Sequence, residues 1–184
     1  MTPSEIILSL KSKYSKQKLS EADTRFKIID TILLEILKWK KEPLMLEVIH
    51  KTVRADYVLY GKNSKPLLII ESKKSGSYFN LPSNINSTLN YQKVTVEKLL
   101  ADRNLKSAIE QVKEYCEDLG CNFACVCNGD VWVFFCINSS HGPWKKLPAF
   151  VIRDISFFSE NYAIASQIFS YDAIANNSSL KNNI

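Results

Sequence analysis

The chain has 184 residues, 46% hydrophobic and 23% charged, which fits one globular domain with a real core and excludes a disordered or fibrous protein. The net charge of +5, with pI near 8.9, is a mild basic excess that suits a polyanionic partner but falls well short of a basic tail. No apolar run approaches the roughly 18 residues that span a bilayer and no signal-peptide pattern opens the chain, so a cytoplasmic protein without a membrane partner is expected.

Thr2-Pro3-Ser4-Glu5 has the form of a capping box with proline at the first helical position, and an N-terminal helix within residues 1–19 follows, ending near Tyr14. Lys11, Lys13, Lys16 and Lys18 are either a solvated helix end or phosphate contacts. Ser20 to Asp23 repeats the capping signal, so a second helix is expected from 21 to about 39. Its apolar stripe is Phe26, Ile29, Ile32, Leu33, Ile36 and Leu37. Residues 44–50 read as the first strand, carrying Glu47 as a secondary acid candidate and His50 as an ordinary strand-end residue.

The stretches 54–60 and 66–73 read as a hairpin joined by turn residues, the first β-branched and aromatic, the second a Leu-Leu-Ile-Ile run ending in Glu71-Ser72-Lys73-Lys74. An apolar run of this kind marks a central strand, and its charges mark the strand's emergence at the sheet edge. Side chains alternate, so Glu71 and Lys73 share one face and Ser72 takes the other. An even number of unpaired residues in the connection puts Asp56 opposite Glu71, whereas a five-residue loop puts it opposite Ile70; the even register is expected here. Two carboxylates opposed at roughly 4.5–5.5 Å repel unless a cation lies between them. With a lysine beside them on rigid strands they suit a hard divalent ion such as Mg²⁺, although a solvated surface hairpin has the same residue types.

Residues 77–91, rich in Asn and Ser, read as a loop leaving the end of the second hairpin strand, a candidate flap. Tyr78, Phe79 and Tyr91 either stack on bases or anchor that loop. A helix begins near Thr95, breaks around 102–104 and resumes over 105–119, with Gln111 and Tyr115 one turn apart and Gly120 as its stop. Strands at 122–127 and 131–137 flank Asn128-Gly129, another strand is read within 147–155, and a helix over 156–176 precedes a tail expected to fray. The five cysteines lack zinc-ligand spacing and are read as buried thiols, so no zinc is expected.

The spacing of Asp56, fourteen residues, then Glu71-Ser72-Lys73 resembles the PD-(D/E)xK nuclease signature. More narrowly, Arg54-Ala55-Asp56 with Glu71 to Gly76 resembles the N-terminal nuclease domain of type I restriction enzyme R subunits, with alanine at 55 where the motif has proline. Glu21-Ala22-Asp23-Thr24-Arg25, Gln111-x-x-x-Tyr115 and Asn128-Gly129-x-x-Trp132 follow in the family's order, and the resemblance runs from about residue 20 to 135.

It implies an α/β fold, restriction-endonuclease-like, with a central mixed sheet of four to five strands flanked by helices and a core over 20–155. It further implies Asp56, Glu71 and Glu21 as Mg²⁺ ligands, Mn²⁺ substituting, with Lys73 assisting the water. Gln111, Tyr115, Arg25 and Lys74 would contact DNA or support the site. Glu21 is also what any helix favours in its first turn, and Arg25 pairs either with phosphate or with Glu21 one turn earlier. The expected function is endonucleolytic hydrolysis of double-stranded DNA in restriction-modification or related defence, with RNA as another polymer for the same site. The other class of function is an inactive nuclease-fold module for DNA binding or assembly. No Gly-Lys-Ser/Thr phosphate loop is present, so either a motor domain lies in a longer chain, with modification and specificity subunits as partners, or the protein is a free-standing relative.

Overall fold

The structure is a computed structural model describing residues 1–40, 44–50, 53–75, 78–138 and 142–184; the side chains of residues 45, 47–50 and 53 lie outside it, and with them the candidates Glu47 and His50. A mixed sheet forms the centre of an α/β fold. Its order is β1 (Leu44–His50), β2 (Val53–Tyr60), β3 (Pro66–Ser72), β5 (Phe123–Cys127), β6 (Trp132–Cys136), β7 (Pro148–Ile152) and β4 (Tyr91–Thr95). Among the described residues, seven strands replace the expected four to five. The strand missed outright is β4, an edge strand paired only with β7, whose half-buried, largely polar residues carry no strong strand pattern.

Helix α1 (Pro3–Tyr14) starts at the Thr2–Glu5 capping box. Helix α2 (Glu21–Thr24) is capped by Ser20 and continues as two π-helical turns, Arg25–Ile29 and Ile32–Ile36. Bonding from i to i+5 changes the angular spacing of the side chains. Ile29, Ile32, Leu33 and Ile36 are buried as the apolar stripe requires, but Phe26 is turned outward and is 75% exposed. Two helices follow β4: α3 (Val96–Leu99), and α4 (Arg103–Leu119), which runs from the Asp102 cap to Gly120 in the left-handed region at φ +68°.

The sheet is covered on both faces. The α2 segment packs on one face with the C-terminal helices α5 (Phe157–Glu160), α6 (Tyr162–Phe169), α7 (Tyr171–Asn177) and α8 (Ser179–Asn183), over Tyr57, Ile70, Cys127, Trp132 and Phe134. Leu105, Ala108, Ile109 and Val112 of α4 cover Ile69, Val126 and Val133 on the other. Where a frayed tail is expected from the sequence, α8 buries Leu180, and the Ser179 hydroxyl donates to the Ile168 carbonyl at 2.6 Å. No helix among the described residues is long and apolar enough to cross a membrane. All five cysteines are buried free thiols.

The β2–β3 hairpin positions the two acids. Its connection is the five residues 61–65, yet Tyr57 pairs with Ile70, Val58 with Ile69 and Leu59 with Leu68, a register whose next step sets Asp56 opposite Glu71. Both facts hold because the pairing then jumps to Tyr60 with Pro66, leaving Leu67 as the extra residue of a β-bulge. The expected register is therefore reached from the opposite loop parity. Strand β3 runs parallel to β5, with Glu71 beside Val126 and Ser72 beside Cys127, while the other pairings are antiparallel.

Candidate active site

The site lies at the carboxyl ends of the parallel strands β3 and β5, where open α/β sheets place their ligands. Asp56, Glu71 and Lys73 are all buried, as are Ser72 and Asn128. The main chain is held past the end of β3, because the Lys73 N–H donates to the Cys127 carbonyl at 2.8 Å.

Asp56 is fixed through both oxygens. Its Oδ2 accepts from the Ser72 N–H at 2.8 Å and from the Ser72 hydroxyl at 2.7 Å, while Arg25 Nη1 lies 3.2 Å from Oδ1. Arg25 also stacks on the Tyr57 ring at 5.3 Å from its centroid, and the Tyr57 hydroxyl donates to Asp30 at 2.7 Å. To the phosphate or Glu21 that the sequence offers Arg25, the structure adds Asp56 as a partner.

Lys73 Nζ pairs with Glu71 Oε1 and donates to Gln111 Oε1 at 3.0 Å. The Gln111 amide in turn donates to the Tyr115 hydroxyl. Gln111 and Tyr115, one turn apart on α4, thus fix the amide's orientation so that its oxygen faces the ammonium. The Tyr78 ring completes the enclosure 5.6 Å from Lys73 Nζ, and its carbonyl accepts from Asn104 at the start of α4. Phe79 is buried close to the site, whereas Tyr91 stacks on Phe150 at 5.5 Å on the far edge strand β4, so both aromatics are packed into the domain.

Burial, and then the neighbouring Asp56 charge, push the Glu71 carboxyl up to about 7 from 4.5, against the pull of Lys73. Burial works against the Lys73 ammonium, but Glu71 holds its pKa above the usual lysine value. The native state therefore binds the Glu71 proton more tightly than the unfolded chain does. Stability from this group is greatest below pH 4.5 and falls as pH rises through 7. Without metal, unfolding stability will drop by roughly 3 kcal/mol from this group between pH 4.5 and 8. Denaturant titrations across that range, with and without Mg²⁺, measure the drop; a flat metal-free profile would contradict a desolvated Glu71.

Helix α2 is bolted to this edge by residues that sequence reasoning passed over. The buried Thr24 hydroxyl donates to Ser20 O at 2.8 Å and accepts from the Ser75 N–H at 2.8 Å, tying the helix to the chain just past Lys73. Gly129 has φ +91°, and a Cβ there would lie 3.0 Å from Thr24 Cγ2. The Asn128 side chain accepts from the Val131 N–H at 2.9 Å, and Trp132 Nε1 donates to the Gly129 carbonyl at 3.1 Å. The Asn-Gly-x-x-Trp segment is thus the seat of the α2 helix. Ser72 and Thr24 were visible only as residues inside motifs; no local pattern marks a hydroxyl that will orient an acid or tie a helix to a strand.

Glu21 is exposed on the first turn of α2, close enough for its charge to act on Glu71 and Lys73, and Lys74 is exposed beside the site. Among the described residues no group of three or more His, Cys, Asp or Glu side chains gathers to hold a metal. A hard divalent ion takes only one or two protein carboxylates in many sites and keeps waters for the rest. Asp56 and Glu71 meet that need. Glu71 Oε2 is buried and has no hydrogen-bond partner among the described residues, so it is an oxygen that a cation would satisfy.

No protein-family model matches this chain, and neither the curated proteins nor the solved structures compared with it give a match.

Proposed function

We propose that the protein is a Mg²⁺-dependent endonuclease of the PD-(D/E)xK type, hydrolysing DNA phosphodiesters as the nuclease domain of a type I restriction R subunit or a close relative in defence against foreign DNA. The observation that carries this reading is the opposition of Asp56 and Glu71 on adjacent strands, with Lys73 on the face of Glu71 and Glu71 Oε2 buried without a partner among the described residues. Asp56 and Glu71 would hold the ion, with Glu21 at the mouth adding negative charge or a further oxygen. When bound, the ion supplies a polarised phosphodiester and a more acidic water.

The chain's own residues do the rest. Ser72 keeps Asp56 from rotating, and Gln111 with Tyr115 keeps the Lys73 ammonium at the site, where it orients the attacking water and offsets charge developing on the phosphate. Lys74, exposed on the same edge, would meet the DNA backbone. The cytoplasmic location, the motor domain in a longer chain and the modification and specificity subunits belong to this same proposal.

A second reading draws on the ion pairs that close the site, Arg25 with Asp56 and Lys73 with Glu71. A nuclease-fold module that had lost cleavage and kept DNA binding or assembly would look like this. Supercoiled plasmid incubated with Mg²⁺ separates the two. The nuclease reading expects nicking or linearisation that falls by about a hundredfold or more in Lys73→Met while divalent binding persists. A wild-type chain that binds DNA and metal but leaves plasmid and RNA intact supports the module.

A further inference from the structure

We propose that Arg25 gates the metal site, so that divalent ion and substrate phosphodiester bind cooperatively; this rests on the nuclease reading above. Asp56 has two oxygens, and Oδ2 is saturated by the two Ser72 donors. Oδ1 alone remains for a cation, and Arg25 Nη1 lies against it. A divalent ion entering beside Asp56 therefore meets a guanidinium already paired with the only open oxygen and of like sign.

The guanidinium has a second place to go. Its side chain is 17% exposed, it is held from behind by the Tyr57 ring, and its planar fork suits a phosphate as well as a carboxylate. A phosphodiester arriving at the site draws Arg25 off Asp56, and the freed oxygen takes the ion. Metal loading is thereby favoured in the substrate complex. Linkage makes the effect reciprocal: the ion raises phosphodiester affinity by the same factor that the phosphodiester raises ion affinity.

The test is Mn²⁺ binding to the full chain, followed by electron paramagnetic resonance, alone and with a short phosphorothioate DNA duplex. Wild type will bind Mn²⁺ at least fivefold more tightly with the duplex than without it. Arg25→Gln will bind Mn²⁺ more tightly than wild type in the absence of duplex, and the duplex will add little. Arg25→Lys keeps the charge without the fork and will fall between them, with thermal melting showing both variants folded. Unchanged Mn²⁺ affinity in Arg25→Gln, or undiminished coupling in it, overturns the gate. Asp56→Asn separates that failure from failure of the nuclease reading. Loss of Mn²⁺ binding in Asp56→Asn with a silent Arg25→Gln removes the gate alone. Mn²⁺ binding that ignores Asp56→Asn, or is absent from wild type in both conditions, removes both.

Discussion

Glu71→Gln will abolish divalent binding and plasmid cleavage together while leaving the protein folded. The substitution keeps the shape and the oxygen that Lys73 Nζ contacts, and it removes the charge a divalent ion needs. It also removes the group whose ionisation is penalised by burial, so the decline in metal-free stability between pH 4.5 and 8 will flatten. Glu71→Ala will behave differently. It strips the buried Lys73 ammonium of its close anion and leaves a void, and roughly 3–5 kcal/mol of destabilisation is expected from breaking a buried pair in this way. Calorimetric Mn²⁺ titration and urea denaturation at pH 5 and 8 read both effects. Retained affinity in Glu71→Gln would end the metal-site reading, whatever the stability shows.

Gly129→Ala will destabilise the protein by roughly 2–4 kcal/mol, the sum of a strained backbone and a steric conflict. The φ of +91° is unsuited to any residue with a Cβ, and that Cβ would press on Thr24 Cγ2 at 3.0 Å and on Ile28 at 3.4 Å. Thr24 cannot swing aside cheaply, because its hydroxyl is bonded both to Ser20 and to the Ser75 N–H. Thr24→Ser deletes the offending methyl and keeps the hydroxyl. Combined with Gly129→Ala it will recover the steric part and leave the backbone part, a non-additivity that a double-mutant cycle measures by urea denaturation. Strict additivity would show that α2 does not rest on this turn.

The hairpin, the Glu71–Lys73 face, the α4 helix with its Gly120 stop and the Asn128-Gly129 turn were legible because local periodicity and turn chemistry determine them. Gln111 with Tyr115 was legible as a helical pair, and the structure adds what spacing cannot carry, the amide oriented by a phenol toward Lys73. Arg25 was legible as a cation of the site, but its contact with Asp56 was not, because Asp56 lies 31 positions away in the chain and is brought close only by packing α2 against the sheet. Phe26 was misplaced because the α2 segment leaves α-helical spacing immediately after Thr24, a change that no periodic template anticipates. Strand β4 was hidden for a third reason: an edge strand with one partner need not be apolar.

The bulge at Leu67 uncouples chain length from the facing of the two acids. Fourteen residues separate Asp56 from Glu71, and a relative with thirteen and no bulge would set its acids face to face just as well. What such chains would hold in common is the pairing across the strands, so an alignment that forbids gaps between the two acids would part proteins whose geometry is the same. A single-residue insertion or deletion in the 61–65 turn is then a change the hairpin can absorb by gaining or losing its bulge.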